Sequence, residues 1–262
     1  MFLQLHDAMI VDPTESPLDR GILNEKFNGV LTELAADASS MGSQIRPDDL
    51  KPAADGFYFS FLNRLLFAIH EQHHGGTLLF LQPANVDKDL RTKYQTKHIE
   101  IWNILLRSLV DFKHITQLRA EAKDQGLAKE KYSSFTTLFS NVLSIDRNLQ
   151  EQSLLLAALA NVDGALLLDF QFRILGFGAE ILAREEFQFD VHMSLDPDAK
   201  STTSQPIDMY GTRHRSTFRF LRENPGSVAF IISQDGSVKG ACSDGEKRVI
   251  YWTNLEMFFK LF

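Results

Sequence analysis

The chain of 262 residues contains a single cysteine, Cys242, which excludes an intramolecular disulfide and argues against a cysteine-based zinc site. Long apolar runs are also lacking. The longest candidate, SLLLAALANVDGALLLDF, is interrupted by Asn161 and Asp163, so no membrane span is predicted. The N-terminus has no basic leader and carries Asp7, which argues against a secretory signal. These absences together predict a soluble, cytoplasmic protein.

An excess of positive charge is lacking as well, because the formal net charge is −7. Bulk electrostatic binding of nucleic acid is therefore not expected, and any phosphate-binding site must be local. The apolar fraction of 44% and the charged fraction of 23% are those of an ordinary globular protein. Phenylalanine is abundant, with 21 residues against five tyrosines and two tryptophans, which predicts a phenylalanine-packed core.

The first half of the chain predicts helices around one buried strand. Residues 1–55 form a predicted N-terminal helical extension, and Pro47 and Pro52 are expected to bracket a connecting stretch. The run FYFSFLNRLLFAIHEQ predicts a buried helix over 57–72, and TLLFLQ predicts a strand after it. The polar, helix-patterned segment 84–150 predicts a helical insertion within a main domain over 56–262.

The second half predicts most of the sheet. ALLLDF and FRILGFG predict a hairpin around Gln171, and VAFIIS, SVKGA and KRVIYW predict three strands joined by short Asp-Gly turns. The acidic, Ser/Thr-rich stretch over about 194–209 is interpreted as a loop. This order of elements predicts an α/β fold, with a mixed sheet flanked by helices.

The segment YGTRHRST places three residues that can be cationic in the predicted first turn of a helix: Arg213, His214 and Arg215. Positive charge there opposes the helix dipole and costs roughly 0.3–1 kcal/mol per exposed charge. A bound anion removes the conflict, because free backbone N–H groups and guanidinium groups both bind phosphate. Gly211 lets a phosphate approach the backbone, and Thr212 is a candidate N-cap or ligand-binding hydroxyl. The alternative to an anion site is that Arg213 and Arg215 are surface residues whose side chains lie over the sheet.

Three motifs in a fixed order resemble those of the diadenylate cyclase domain family. The motif DGA (163–165) precedes an apolar strand, GTRHR (211–215) follows it at a helix start, and Ser233 and Gln234 end the strand VAFIIS. Family members share an Asp-Gly-Ala element, a Gly-Thr-Arg-His-Arg element and a strand end of the Ser-Glu or Ser-Gln type. DGA alone is common by chance, whereas GTRHR in this order is much more specific.

The resemblance covers residues 57–82 and 150–252. It implies an enzyme that condenses two ATP into cyclic di-AMP and pyrophosphate, using Mg²⁺ or Mn²⁺ bound at Asp163. It also implies a head-on homodimer or higher homo-oligomer, in which each 3′-hydroxyl attacks the opposite α-phosphate. The implied catalytic residues are Asp163, Arg213, His214 and Arg215. The implied nucleotide-binding residues are Gly164, Ala165, Gly211, Thr212, Ser233 and Gln234.

The sequence also departs from the family pattern. Val162 stands where one branch of the family has a histidine, Gln234 and Asp235 replace two glutamates, and the insertion at 84–150 is unusually long. The long insertion and the missing second acid favour an alternative, a catalytically inactive sensor that binds a nucleotide or a cyclic dinucleotide. The presence of Asp163 favours the enzyme. A weaker third interpretation is a protein-interaction scaffold, which leaves the charge in GTRHR unexplained.

Overall fold

The computed structural model describes residues 4–6, 9–11, 16–42, 46–82, 89–96, 100–125, 129–182 and 188–258. Its helices are α1 (Gly21–Glu25), α2 (Asn28–Gly42), α3 (Pro47–His70), α4 (Ile101–Gln125), α5 (Lys129–Ala160) and α6 (Thr212–Glu223). Its strands are β1 (Gln4–His6), β2 (Met9–Val11), β3 (Gly76–Leu81), β4 (Leu90–Arg91), β5 (Ala165–Asp169), β6 (Ile174–Ile181), β7 (Asp190–Ser194), β8 (Thr202–Pro206), β9 (Val228–Ile232), β10 (Val238–Ser243) and β11 (Val249–Trp252).

Nine of the strands form one mixed sheet, in the order β4-β6-β5-β3-β9-β10-β11-β7-β8. β3 pairs with β5 in parallel and with β9 in antiparallel orientation. The α/β fold predicted from the sequence is confirmed, as are the hairpin around Gln171 and the three strands β9 to β11. A parallel pair needs a long crossover, and the segment predicted as a helical insertion supplies it through α4 and α5.

The central strands are buried on both faces, which explains their continuous apolar runs. Side chains alternate along β3: Leu78 and Phe80 join a core with helices α1 to α5, whereas Leu79 and Leu81 join a second core with α6. The predicted phenylalanine-rich core is confirmed, with contacts among Phe27, Tyr58, Phe80 and Phe172. None of the helices in the described ranges has the length and apolarity needed to span a membrane.

Two predictions about local structure are wrong. The helix expected over 57–72 begins at Pro47 and ends at His70, so the two prolines do not bracket a loop. Pro47 lies in the first turn, where a missing N–H loses no helical hydrogen bond, and Pro52 follows inside the helix. The stretch 194–209 contains β8 and a 3₁₀ turn in place of a loop. Threonine favours strands, and an edge strand tolerates exposed polar residues.

Candidate functional site

Three strand ends meet at one edge of the sheet. β3 and β5 begin there side by side, with Thr77 opposite Ala165, and β9 ends there, with Ile232 opposite Gly76. Neighbouring strands are about 4.8 Å apart. The structure therefore brings the DGA motif before β5 and the Ser-Gln pair after β9 to the same edge, separated by β3.

Arg213 connects the helix α6 to this edge. A Cβ atom placed on Gly75 would lie 2.8 Å from Arg213 Nη1, 3.0 Å from Ile232 O and 3.1 Å from Gln234 N. Gly75 also has a φ of +66°, which favours glycine. The lack of a side chain at Gly75 thus leaves room for the guanidinium group beside Gln234. Gly75 was not among the predicted site residues, although the His-Gly-Gly turn was visible in the sequence.

The N-terminus of α6 is open and carries arginine in place of acidic residues. Arg215 N–H donates to Gly211 O at 3.0 Å, so the preceding N–H groups of the first turn have no partner inside the helix. Gly211, and not Thr212, is the N-cap, and no side chain caps the helix. A Cβ at Gly211 would meet open space. In the described part of the chain, no ion pair involves Arg213 or Arg215, which leaves both guanidinium groups available to an anion.

His214 does not add to the positive charge at neutral pH. Its ring contacts Tyr210 and Phe218, and burial is the main cause that lowers its pKa from 6.5 to about 4. Positive charge on Lys239 and Arg213 lowers the pKa further, while Asp235 opposes the change. Of the three residues that can be cationic, only the two arginines are therefore charged at pH 7. His214 Nε2 is buried and has no hydrogen-bond partner among the described residues.

The low pKa of His214 predicts a pH-dependent stability. The unfolded chain takes up a proton near pH 6.5, whereas the folded chain resists it down to about pH 4. The free energy of unfolding should therefore fall as the pH is lowered through this window. We expect His214→Gln to reduce that fall, as measured by urea unfolding at pH 7 and at about pH 5. His74→Gln, at an exposed site, is the matched control. An unchanged pH dependence in His214→Gln would contradict this assignment.

Asp163 lies directly before β5, at the edge of the sheet where β3 and β5 begin. Its side chain is 98% exposed, and Lys93 Nζ lies 3.8 Å from Asp163 Oδ2. Gly164 follows with a φ of +121°, and Ala165 turns its methyl group into the second core. No ion pair within the described ranges joins Asp163 to Arg213 or Arg215. The structure thus places the carboxylate one strand from the Arg213 guanidinium and does not bring the two into contact.

The turn that follows β9 is fixed by several hydrogen bonds. Ser233 N–H donates to Ser237 O at 2.9 Å, and Gly236 N–H donates to Ser233 O at 3.0 Å. Hydrogen bonds from Ser237 lower the pKa of the Asp235 carboxyl. His70 Nδ1 lies 2.7 Å from Gly236 O, which ties the end of α3 to this turn. Ser233 and Gln234 are therefore presented by a rigid turn, with Gln234 exposed.

Asp163 is the residue at this edge that could hold a divalent cation. The open Asp163 carboxylate is a suitable oxygen donor for Mg²⁺ or Mn²⁺, ions that often keep waters and bind phosphate oxygens in addition. Among the described residues there is no group of three or more His, Cys, Asp or Glu side chains that could hold a metal. A cation at Asp163 would therefore take its other ligands from a bound nucleotide and from water.

Sequence reasoning missed several residues near the site. Lys93 is in the segment predicted as helical, so nothing in the local pattern indicated its contact with Asp163. Lys239 lies on β10, where it lowers the pKa of His214. Tyr210, directly before the N-cap, has its hydroxyl 2.6 Å from the Tyr251 hydroxyl, which anchors the entry to α6. Such contacts join distant parts of the chain, and motif spacing does not report them.

Comparison with protein-family models, curated proteins and solved structures finds no match for this chain.

Proposed function

We propose that the chain binds ATP at this edge of the sheet and condenses two ATP into cyclic di-AMP with release of pyrophosphate. The proposal depends mainly on the position of Arg213. Its guanidinium lies at an open helix N-terminus, beside Gly75 and Gln234, one strand from the exposed Asp163 carboxylate. Phosphoryl transfer requires positioning and charge neutralisation more than covalent help, and these groups supply both.

Each group has a role in this proposal. Arg213 and Arg215, with the free N–H groups of α6, bind the triphosphate. Asp163 would hold Mg²⁺ or Mn²⁺, which neutralises phosphate charge when bound. Neutral His214 would take part through hydrogen bonding and not through charge.

The exposed Asp163 leaves space for a second nucleotide. We therefore propose a head-on homodimer or higher homo-oligomer acting in the cytoplasm, in which each 3′-hydroxyl attacks the opposite α-phosphate and displaces pyrophosphate.

One observation favours a second candidate, a nucleotide or cyclic dinucleotide sensor without turnover. Lys93 Nζ lies 3.8 Å from Asp163 Oδ2, so a lysine ammonium group already lies within ion-pairing distance of the carboxylate. In a sensor this pair could remain in place of a metal ion, while the arginines still bind phosphate. The pair is exposed, and exposed ion pairs contribute only about 0–1 kcal/mol, so a nucleotide-bound cation could also displace the lysine.

Incubation of the purified chain with ATP and Mg²⁺ or Mn²⁺ distinguishes the two candidates. Cyclic di-AMP and pyrophosphate in the products support the enzyme. ATP-induced thermal stabilisation without product supports the sensor instead. No binding of ATP or of a cyclic dinucleotide contradicts both candidates.

If the enzyme is active, Asp163→Asn should lower the rate of cyclic di-AMP formation by about 100-fold or more, because transition-state charge stabilisation is lost. ATP affinity in the absence of metal should change little, because the arginines remain. The rate is measured by chromatography of the products, and Asp48→Asn, at an exposed carboxylate on α3, is the control. Product formation at the wild-type rate in Asp163→Asn would remove Asp163 from the catalytic set.

A further inference from the structure

A short arm formed by residues 89–96 lies along β6, next to the proposed site. Leu90 pairs with Ile181 and Arg91 with Glu180, and the same register continues to Tyr94, opposite Phe177. Tyr94 N–H donates to Phe177 O at 3.2 Å, and Phe177 N–H donates to Tyr94 O at 3.1 Å. These bonds, together with the pairing of β4, hold the backbone of the arm against β6.

One side chain of the arm reaches the DGA motif, and a second lies close to the residue before it. Lys93 Nζ lies 3.8 Å from Asp163 Oδ2. A Cβ placed on Gly178 would lie 3.1 Å from Tyr94 Cδ2 and 3.2 Å from Val162 Cγ1, so the Tyr94 ring and Val162 meet over this glycine. Val162 directly precedes Asp163. The arm therefore lines the side of the site that faces away from Arg213.

The Tyr94 ring is held on one side and open elsewhere. It stacks on Phe177 with ring centroids 5.3 Å apart and an interplanar angle of 27°, while 52% of the residue is exposed. An exposed ring in a fixed orientation is a stacking surface for a flat ligand group. Glycine at position 178 keeps the backbone beside the ring free of side-chain bulk.

The distance across the strands from the arm to β3 is similar to the length of a nucleotide. The strand order runs from the arm through β6 and β5 to β3, where the Arg213 guanidinium lies. Three strand spacings correspond to roughly 14 Å. This spacing of the strands is comparable to the length of an extended nucleoside triphosphate, whose phosphates would then lie at Arg213, its middle at Asp163 and its base at the arm.

We propose that Tyr94 is the base-stacking residue of the nucleotide site, so that the ligand is recognised as a nucleotide and not merely as a polyphosphate. This inference depends on the proposed function, since it concerns the same site. Stacking is tolerant of base identity because every base has a flat face. Tyr94 therefore sets a requirement for a base and does not select adenine.

The test compares Tyr94→Leu and Tyr94→Phe with the wild-type full chain, using calorimetric titration with ATP and with inorganic tripolyphosphate. Leucine keeps apolar contact with Phe177 but has no aromatic face. We expect Tyr94→Leu to weaken ATP binding by about tenfold and to leave the affinity for tripolyphosphate within about twofold of the wild-type value. Tyr94→Phe should bind ATP as the wild type does, because phenylalanine keeps the aromatic face. Arg213→Ala should weaken the binding of both ATP and tripolyphosphate, because Arg213 is proposed to bind the phosphates that the two ligands share.

The outcomes separate this inference from the proposed function. ATP affinity unchanged in Tyr94→Leu, with ATP binding intact in the wild type, overturns the stacking role and leaves the proposed function standing. An equal loss for ATP and tripolyphosphate also overturns it, because the effect would not depend on the base. Absence of ATP binding in the wild type overturns the proposed function and this inference together.

Discussion

Replacing Arg213 with alanine is expected to weaken ATP binding by about 100-fold. The guanidinium lies close to Gly75 and the backbone of Gln234 at the strand ends, and the residue is exposed, so a bound phosphate can reach it. A charge-assisted hydrogen bond contributes about 1.5–3 kcal/mol, and each 1.4 kcal/mol corresponds to a tenfold change in affinity. Calorimetric titration with ATP at low and high salt measures the loss. The ATP affinity of the variant should also depend less steeply on salt concentration than that of the wild type.

The same substitution should not unfold the chain. Arg213 opposes the dipole of α6, and no described acidic residue lies in the first turn. Its removal is therefore expected to leave the free energy of unfolding unchanged or to raise it by about 0.3–1 kcal/mol. Arg46→Ala, at an exposed arginine on the N-terminal side of α3, controls for the loss of a charge. ATP affinity within threefold of wild type in Arg213→Ala would contradict the phosphate-binding role.

Arg213→Lys offers a finer test of geometry. Lysine keeps the positive charge but cannot form two parallel hydrogen bonds to a phosphate, as the planar guanidinium can. If Arg213 contributes only its charge, lysine should restore ATP binding almost fully. If the fork geometry contributes, the affinity of Arg213→Lys should fall between those of the wild type and Arg213→Ala.

The local features of the site could be predicted from the sequence. The start of α6 at GTRHR and the strand after DGA follow from short-range patterns, because helix starts and apolar strands depend on neighbouring residues. That the two motifs share one edge was expected only through resemblance to the diadenylate cyclase family. The structure supplies the physical reason, since β3 and β5 run parallel and β9 runs antiparallel beside them.

Other features of the site and of the fold could not be predicted, because they depend on contacts between segments that are distant in the sequence. Lys93 and Asp163 are separated by α4 and α5, so their ion pair has no local signature. The charge state of His214 depends on burial against Tyr210 and Phe218, which a motif does not show. Composition predicts a loop in the stretch before GTRHR, yet pairing with β7 makes part of this stretch a strand. Tertiary context overrides composition there.

Gly164→Ala is expected to destabilise the fold strongly. Gly164 has a φ of +121°, a conformation that residues with a side chain rarely adopt. An added Cβ would lie 2.5 Å from the carbonyl carbon of Gly178 and 2.8 Å from the backbone N and O of Ala179. These are backbone atoms of the paired strand β6, so they cannot move aside as a flexible side chain can. We expect the free energy of unfolding to fall by about 3 kcal/mol or more, as measured by urea denaturation.

Gly211→Ala is the matched control, because both glycines belong to the predicted site motifs but differ in geometry. Gly211 has a φ of −65°, and an added Cβ would meet open space. Its replacement should lower the free energy of unfolding by at most about 1 kcal/mol, because alanine is a poorer N-cap than glycine but meets no steric clash here. If the chain binds ATP as proposed, Gly211→Ala should also lower ATP affinity, because a methyl group would occupy open space beside the N-terminus of α6. Equal stability of Gly164→Ala and Gly211→Ala would mean that β5 and β6 are not packed as closely as described.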